Sequence, residues 1–137
     1  MDYACVDANV IIRLLTDQPP EMAEKAERLF AAVDQGIITL VVPEVVVAEV
    51  VWVLKSFYGF TPAEISSLLE DFLSSEGLQC EDKPGLLQAL TIYKYKNIDF
   101  IDALLAVQMT RQGITDIYSF DAHFDRLPWI TRLMPGD

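Results

Sequence analysis

Short apolar runs alternate along this chain with segments of helical period, and no other feature constrains the fold as tightly. "YACVD", "IITLVV", "LQCE", "ITDIYS" and "WITRL" read as strands, and the stretches between most of them are long enough for crossover helices. Strands joined through helices pair in parallel, and the helices cover the faces of the sheet. The pattern predicts an α/β fold, a three-layer α/β/α sandwich around a central parallel sheet of about four to five short strands. Its length of 137 residues is that of a single domain, 1–137. In such sheets ligands bind beyond the carboxyl ends of the strands. Functional residues therefore belong just after a strand, or on a helix that borders that edge.

The helices carry their own punctuation. "PPEMAEKAERLFAAVDQG" opens on prolines, places acids in its first turn, lines up Ala23, Ala26, Phe30 and Val33, and stops at Gly36. "PEVVVAEVVWVLKSFYG" is rich in valine, which favours strands, yet it is too long for one. Pro43 suits a first helical position and Gly59 an end, so the segment reads as a helix. "TPAEISSLLEDFLSSEG" has the Thr, Pro and Glu spacing of a capping box. "ANVIIRLL", "KPGLLQALTIYKYKN" and "DFIDALLAVQMTRQG" are further helices, and "FDAHFDRL" is a loop or a short helix.

Composition removes several classes. With 52% hydrophobic and 23% charged residues the chain is globular rather than disordered. Its most apolar stretch, "ITLVVPEVVVAEVVWVL", is broken by Pro43, Glu44 and Glu49, so it does not read as a membrane span. "MDYACVD" carries acid where a secretory signal would be basic. Cys5 and Cys80 belong to no CxxC or Cys/His pattern and read as reduced, buried cysteines of a cytoplasmic protein. The net charge of −11, from 21 acids and 10 bases, argues against a nonspecific nucleic-acid binder. Either the acids form a solvated surface, or some of them gather where a cation is needed.

Four carboxylates stand at apolar boundaries. Asp7 ends the first strand run and Asp121 follows "DIYS" closely, so both belong at the same edge of a parallel sheet. Taken singly, each reads equally well as a turn or cap residue. Glu49 is the only charge between Glu44 and Lys55. A carboxylate buried in such surroundings costs several kcal/mol unless paired or coordinated, and a salt bridge to a distant base is the plain alternative.

In "NIDFIDALLA", Asp99 and Asp102 share one helix face, one turn apart. Asp99 reads as the N-cap and Asp102 as a complement to the helix dipole. If Asp102, Asp7, Glu49 and Asp121 gather, they cannot all remain ionised in a dry pocket. A divalent cation resolves the repulsion, and oxygen-only donors favour Mg²⁺ or Mn²⁺ over zinc.

These pieces carry a resemblance. "VDANVII", Glu49 on the third helix, "DFIDALLA" and "SFDAHFDRL" resemble, in order and separation, the PIN domain family, and more narrowly the VapC-type toxin ribonucleases of toxin–antitoxin pairs. The resemblance covers essentially the whole chain. It implies a metal-dependent endoribonuclease with Asp7, Glu49, Asp102 and Asp121 as catalytic metal ligands for Mg²⁺ or Mn²⁺. Asn9 and Ser119 would orient those carboxylates. Asp99 would be cap and outer-shell partner together, and Asp125 either an auxiliary acid or a solvated partner of Arg126. Water would attack the phosphodiester and leave 5′-phosphate and 3′-hydroxyl ends. The resemblance further implies an RNA substrate, an antitoxin protein as partner, and a homodimer. An acidic surface is awkward for RNA, which calls for a basic rim from residues such as Arg13, Lys55, Lys94 or Lys96.

Two readings from other classes compete. A receiver-type phosphoacceptor domain also binds Mg²⁺ in an acidic pocket, but it wants paired acids after the first strand and a Lys after a late one. Here Asp7 is followed by Ala8 and Asn9, and "FDAHF" holds no Lys; Asn9 likewise spoils an Asp-x-Asp phosphatase. A catalytically inactive PIN-like module that only binds RNA or protein is the other. His123, the single histidine, reads as a surface residue. Trp52, Phe57, Tyr58 and Phe60 read as core or subunit interface before they read as base-stacking groups. Transfer, ribosomal and messenger RNA all stay open as substrates.

Overall fold

The structure is a computed structural model that describes residues 2–136. The chain divides into two compact units, Met1–Lys83 and Pro84–Asp137.

The first unit begins with strand β1 (Asp2–Cys5), followed by helices α1 (Ala8–Thr16) and α2 (Pro20–Asp34). Strand β2 (Ile38–Val41) leads to α3 (Glu44–Ser56) and α4 (Pro62–Leu73), and then to β3 (Leu78–Gln79). The strands pair in parallel in the order β1-β2-β3, with Tyr3 opposite Thr39 and Leu40 opposite Leu78. Two helices between each pair of strands supply the crossover that parallel pairing requires. On α2 the buried residues are Ala23, Ala26, Phe30 and Val33, the expected stripe. Phe30 meets Phe72 of α4 edge to face at 5.3 Å.

The valine-rich segment is a helix, as its length and flanking residues predict. Val47, Val50, Val51 and Leu54 form its buried stripe, the spacing of one helical face. Pro43 sits one residue earlier than expected, at the N-cap. Thr61 and Glu64 form the reciprocal capping box of α4. Gly77 packs its backbone so closely on Val33 that a Cβ there would lie 2.8 Å from the Val33 carbonyl oxygen.

Burial of the cysteines is corrected. β1 is the first strand of the ladder of its own unit, and all four of its residues are exposed, Cys5 included. Cys80 is half-buried, and burial holds its thiol above the usual value.

The second unit contains most of α5 (Lys83–Lys96), α6 (Phe100–Arg111), strand β4 (Asp116–Tyr118), a 3₁₀ turn (Ala122–Arg126) and strand β5 (Thr131–Leu133). Asn97, at φ +51°, reverses the chain between α5 and α6, a conformation that Asn tolerates better than most side chains. Tyr93 and Phe100 stack edge to face across that turn at 6.0 Å. β4 and β5 pair in parallel, Asp116 opposite Thr131. The fold is thus α/β with five short parallel strands. Among the described residues they form a ladder of three in the first unit and a ladder of two in the second. Among the described residues no helix is long and apolar enough to cross a membrane.

Candidate functional site

In the first unit, the chain leaves β1 at Cys5, and Asp7 becomes the N-cap of α1 two residues later. Its carboxylate accepts the Val10 N–H at 3.2 Å. The strand–Asp–helix sequence thus places an exposed carboxylate just past the carboxyl end of a parallel strand. Asn9 follows on the first turn of α1, exposed.

Glu49 projects from the middle of α3 and borders a cavity with Asn9, Arg13 and Tyr58. It is exposed. Glu49 is therefore not the buried carboxylate its apolar surroundings predict: the buried stripe of α3 turns inward, and Glu49 shares the open side with Val45, Trp52 and Phe57. Trp52 is 60% and Phe57 77% exposed, which removes both from the core that the sequence suggested.

In the second unit, Asp99 caps α6 with its carboxylate on the Phe100 N–H at 3.0 Å. Asp102 lies in the first turn, half-buried. Asp121 caps the 3₁₀ turn through the His123 N–H at 2.8 Å, and its own N–H donates to the Ser119 hydroxyl oxygen at 2.9 Å. These acids feel one another. Burial, then the charge of Asp99, then that of Asp121, hold the Asp102 carboxyl above the ordinary aspartate value, and His123 opposes them. An elevated carboxyl beside two like charges is the electrostatic signature of a crowded anionic pocket.

Among the described residues no group of three or more His, Cys, Asp or Glu side chains is already drawn together around one centre as a metal cage. The fit to a hard divalent cation is one of donor chemistry and charge. The donors are carboxylate oxygens, and the charges of Asp99 and Asp121, which add to burial in lifting Asp102, are what a cation would offset.

Asp125 has a different partner from the one expected. Arg132 of β5 grips it with two bonds, 3.1 and 3.2 Å, and also donates to the Ser119 carbonyl at 3.2 Å. Arg126 instead donates to the Asn97 carbonyl. Arg132 was missed in the sequence, where a lone Arg at an alternating strand position looks like ordinary solvent-facing polarity. His123 is exposed, as its sequence context predicts, and its Nδ1 lies 3.2 Å from Asp121.

Of the expected basic rim, Arg13 is half-buried on α1, and Lys55 is exposed at the end of α3. Lys94 and Lys96 are exposed in the last turn of α5, Lys94 lying over the Tyr95 ring.

A short-stranded parallel α/β fold with carboxylates capping the helices that follow its strands defines a class. The chain belongs to the PIN domain family, whose model matches residues 4–130. It is similar to the VapC ribonuclease of Aquifex aeolicus (strain VF5), at 29% identity over 126 residues, 92% of this chain and 93% of that protein. Among solved structures it is similar to the VapBC2 complex of Rickettsia felis bound to a promoter DNA fragment. The identity there is 19%, the TM-score 0.38 and the coverage 98% of both chains.

Proposed function

We propose that the protein is a metal-dependent endoribonuclease that hydrolyses RNA phosphodiester bonds, and that it is the toxin of a toxin–antitoxin pair. The observation that carries this reading is similarity to a VapC ribonuclease over nearly the full length of the chain. The Asp102 carboxyl, raised by burial and by the charges of Asp99 and Asp121, supports it. We assign Asp7, Glu49, Asp102 and Asp121 to hold Mg²⁺ or Mn²⁺; for Asp7 and Glu49 the assignment rests on the order of the motifs alone. When bound, such an ion lowers the pKa of its water and neutralises charge developing on the phosphate.

The chain's own residues prepare for this. Asp99 caps α6 and so fixes the turn that carries Asp102. Ser119 holds the Asp121 backbone, which sets the direction from which that carboxylate is presented. Arg132 ties Ser119 to Asp125 and braces the loop from the other side. RNA needs local cations on a chain of net charge −11, and Arg13, Lys55, Lys94 and Lys96 are the residues we assign to substrate binding. A cytoplasmic homodimer neutralised by an antitoxin completes the proposal. Val45 and Trp52, both exposed on α3, offer apolar surface to a partner.

The test is cleavage of total cellular RNA by the purified, partner-free protein with Mn²⁺ and with Mg²⁺, beside a chelator control and Asp102→Asn. Discrete cuts with 5′-phosphate ends, lost with the chelator and in the variant, are expected. A folded protein that yields no metal-dependent cuts would move the reading to a binding module. Cuts that survive Asp102→Asn would overturn the assignment of the site.

A further inference from the structure

Between α1 and α3, the first unit holds an open cavity of about 440 Å³, within the size range of small-molecule sites. Its walls divide by chemistry. Ile12 and Val53 are apolar, Phe57 and Tyr58 are aromatic at the carboxyl end of α3, and Asn9 and Arg13 are polar. Asn9 and Arg13 stand four residues apart on α1, hence on one face of that helix.

The Arg13 guanidinium is under-used. Its Nη1 makes one long bond to the Gln18 carbonyl, at 3.4 Å, and its buried Nε has no partner among the described residues. The Nε is buried and closed to a ligand, so an acceptor seated in the cavity would bond the Nη end of the guanidinium. Flat aromatic walls, a guanidinium fork and an amide define a recognisable ligand: an unpaired nucleobase. Proteins read single-stranded RNA by stacking bases on aromatic rings and bonding their edges. A guanidinium matches the O6 and N7 acceptors of guanine. Asn9 adds an amide oxygen for the N–H donors on the opposite edge. A phosphate would want more than one cation here, and Glu49 on the same wall disfavours it.

We propose that this cavity seats one unpaired guanine of the RNA substrate, stacked on Tyr58, with Arg13 reading its O6 and N7 and Asn9 its N–H edge. The proposal rests on the ribonuclease reading above and adds to it a base preference and the residues that set it. Because Asn9 lies two residues beyond Asp7 on the same helical turn, the seated base would flank the bond that is cut.

Two measurements test it on the full chain. The first titrates the protein, with chelator present, with guanosine and cytidine monophosphates, followed by saturation-transfer NMR of the ligands. Guanosine monophosphate is expected to bind saturably and to lose that signal in Tyr58→Ala, with cytidine monophosphate weaker. The second measures metal-dependent cleavage of matched oligoribonucleotides. Tyr58→Ala should raise KM about 5- to 100-fold with kcat largely kept, and Tyr58→Phe should restore it. Arg13→Lys should flatten the preference for guanine at the mapped position, which keeps the test open should Tyr58→Ala fold poorly.

RNA cleavage with unchanged KM and unchanged base preference in folded Tyr58→Ala and Arg13→Lys would overturn the seat and leave the nuclease standing. If RNA is not cut at all, the nuclease reading fails, and the nucleotide titration decides the seat alone. No saturable guanosine monophosphate signal overturns it, and a signal lost in Tyr58→Ala sustains it.

Discussion

Asp99 and Asp102 stand one helical turn apart at the start of α6, the first capping the helix and the second half-buried with its carboxyl raised by burial and by the charge of the first. The sign of the resulting pH dependence follows. A carboxyl raised in the folded state binds its proton more tightly there than in the unfolded chain. In the window between its ordinary value and its raised value, stability therefore falls as pH rises. In metal-free protein, Asp102→Asn should cancel that component and stabilise the fold most clearly at neutral pH. Asp99→Asn should keep the cap and narrow the window. Urea unfolding of the wild type and both variants across the acidic range would show this, and a wild-type-to-Asp102→Asn difference that does not change with pH would contradict it.

The capping box at α4 makes the opposite prediction. Hydrogen bonds from the Thr61 backbone, and then the Thr61 side chain, hold the Glu64 carboxyl below its ordinary value. Its contribution is present above the ordinary glutamate value and is lost as pH falls through the lowered one. Thr61→Ala removes the acceptor of the Glu64 N–H, a bond of 3.1 Å, and should cost about 0.5–2 kcal/mol. Chemical denaturation at neutral pH measures that loss, and an unchanged midpoint would mean that the box contributes nothing.

What was legible in the sequence was local or periodic. The Thr61–Glu64 box, the α2 stripe and the helical nature of the valine-rich segment each depend on residues within a turn or two of one another. The parallel sense of the strands followed from the helices between them. Three things were hidden. An isolated Glu49 in an apolar run does not reveal which side of its helix faces solvent, because valine and tryptophan surround it on every side; only the packing of α3 shows it exposed. The grip of Arg132 on Asp125 joins a strand to a 3₁₀ turn seven residues earlier, and no short-range rule pairs those positions. The exposure of Cys5 escaped for a similar reason, since an apolar strand sequence does not say where in a ladder it will lie.

That grip sets the expectation for Asp125. Arg132 holds its carboxyl below the ordinary aspartate value through the paired hydrogen bonds. An acid so engaged is a brace for the loop, not a free ligand. Asp125→Asn should leave RNA cleavage near the wild-type rate, whereas Asp121→Asn should abolish it. Parallel cleavage assays of the two variants decide the matter, and equal losses would return Asp125 to the catalytic group.

Gly77 offers a steric test in the first unit. A Cβ there would lie 2.5 Å from Val33 Cγ1 and 2.8 Å from the Val33 carbonyl oxygen. Val33 is buried on α2 and its backbone cannot step aside cheaply. The Gly77 carbonyl also accepts the Leu40 N–H at 3.0 Å, so a shift would strain the β2 ladder. Gly77→Ala should cost about 1–3 kcal/mol, as overpacking does. The double variant Val33→Ala with Gly77→Ala should not rescue it fully, because the backbone oxygen remains. Thermal denaturation of the single and double variants measures both, and full rescue would locate the clash in the Val33 side chain alone.

Tyr93 carries a hydroxyl whose removal should not weaken the fold. Its hydroxyl is buried without a hydrogen-bond partner among the described residues, while the residue is 3% exposed and its ring packs on Phe100. Burial, and then the charge of Asp99, raise the phenol above its usual value, so it stays protonated and its donor stays unused. A buried polar group left unsatisfied costs about 1–3 kcal/mol, and replacing it with an apolar group of the same shape is nearly neutral or stabilising. Tyr93→Phe keeps the ring and the edge-to-face packing. It should leave stability unchanged or raise it by up to about 1 kcal/mol, with cleavage intact. Guanidinium unfolding reads the change directly. A clear loss of stability would mean that the hydroxyl is bonded in solution, to a buried water or to the Asp99 carboxylate, and would make Tyr93 part of the frame that sets Asp102.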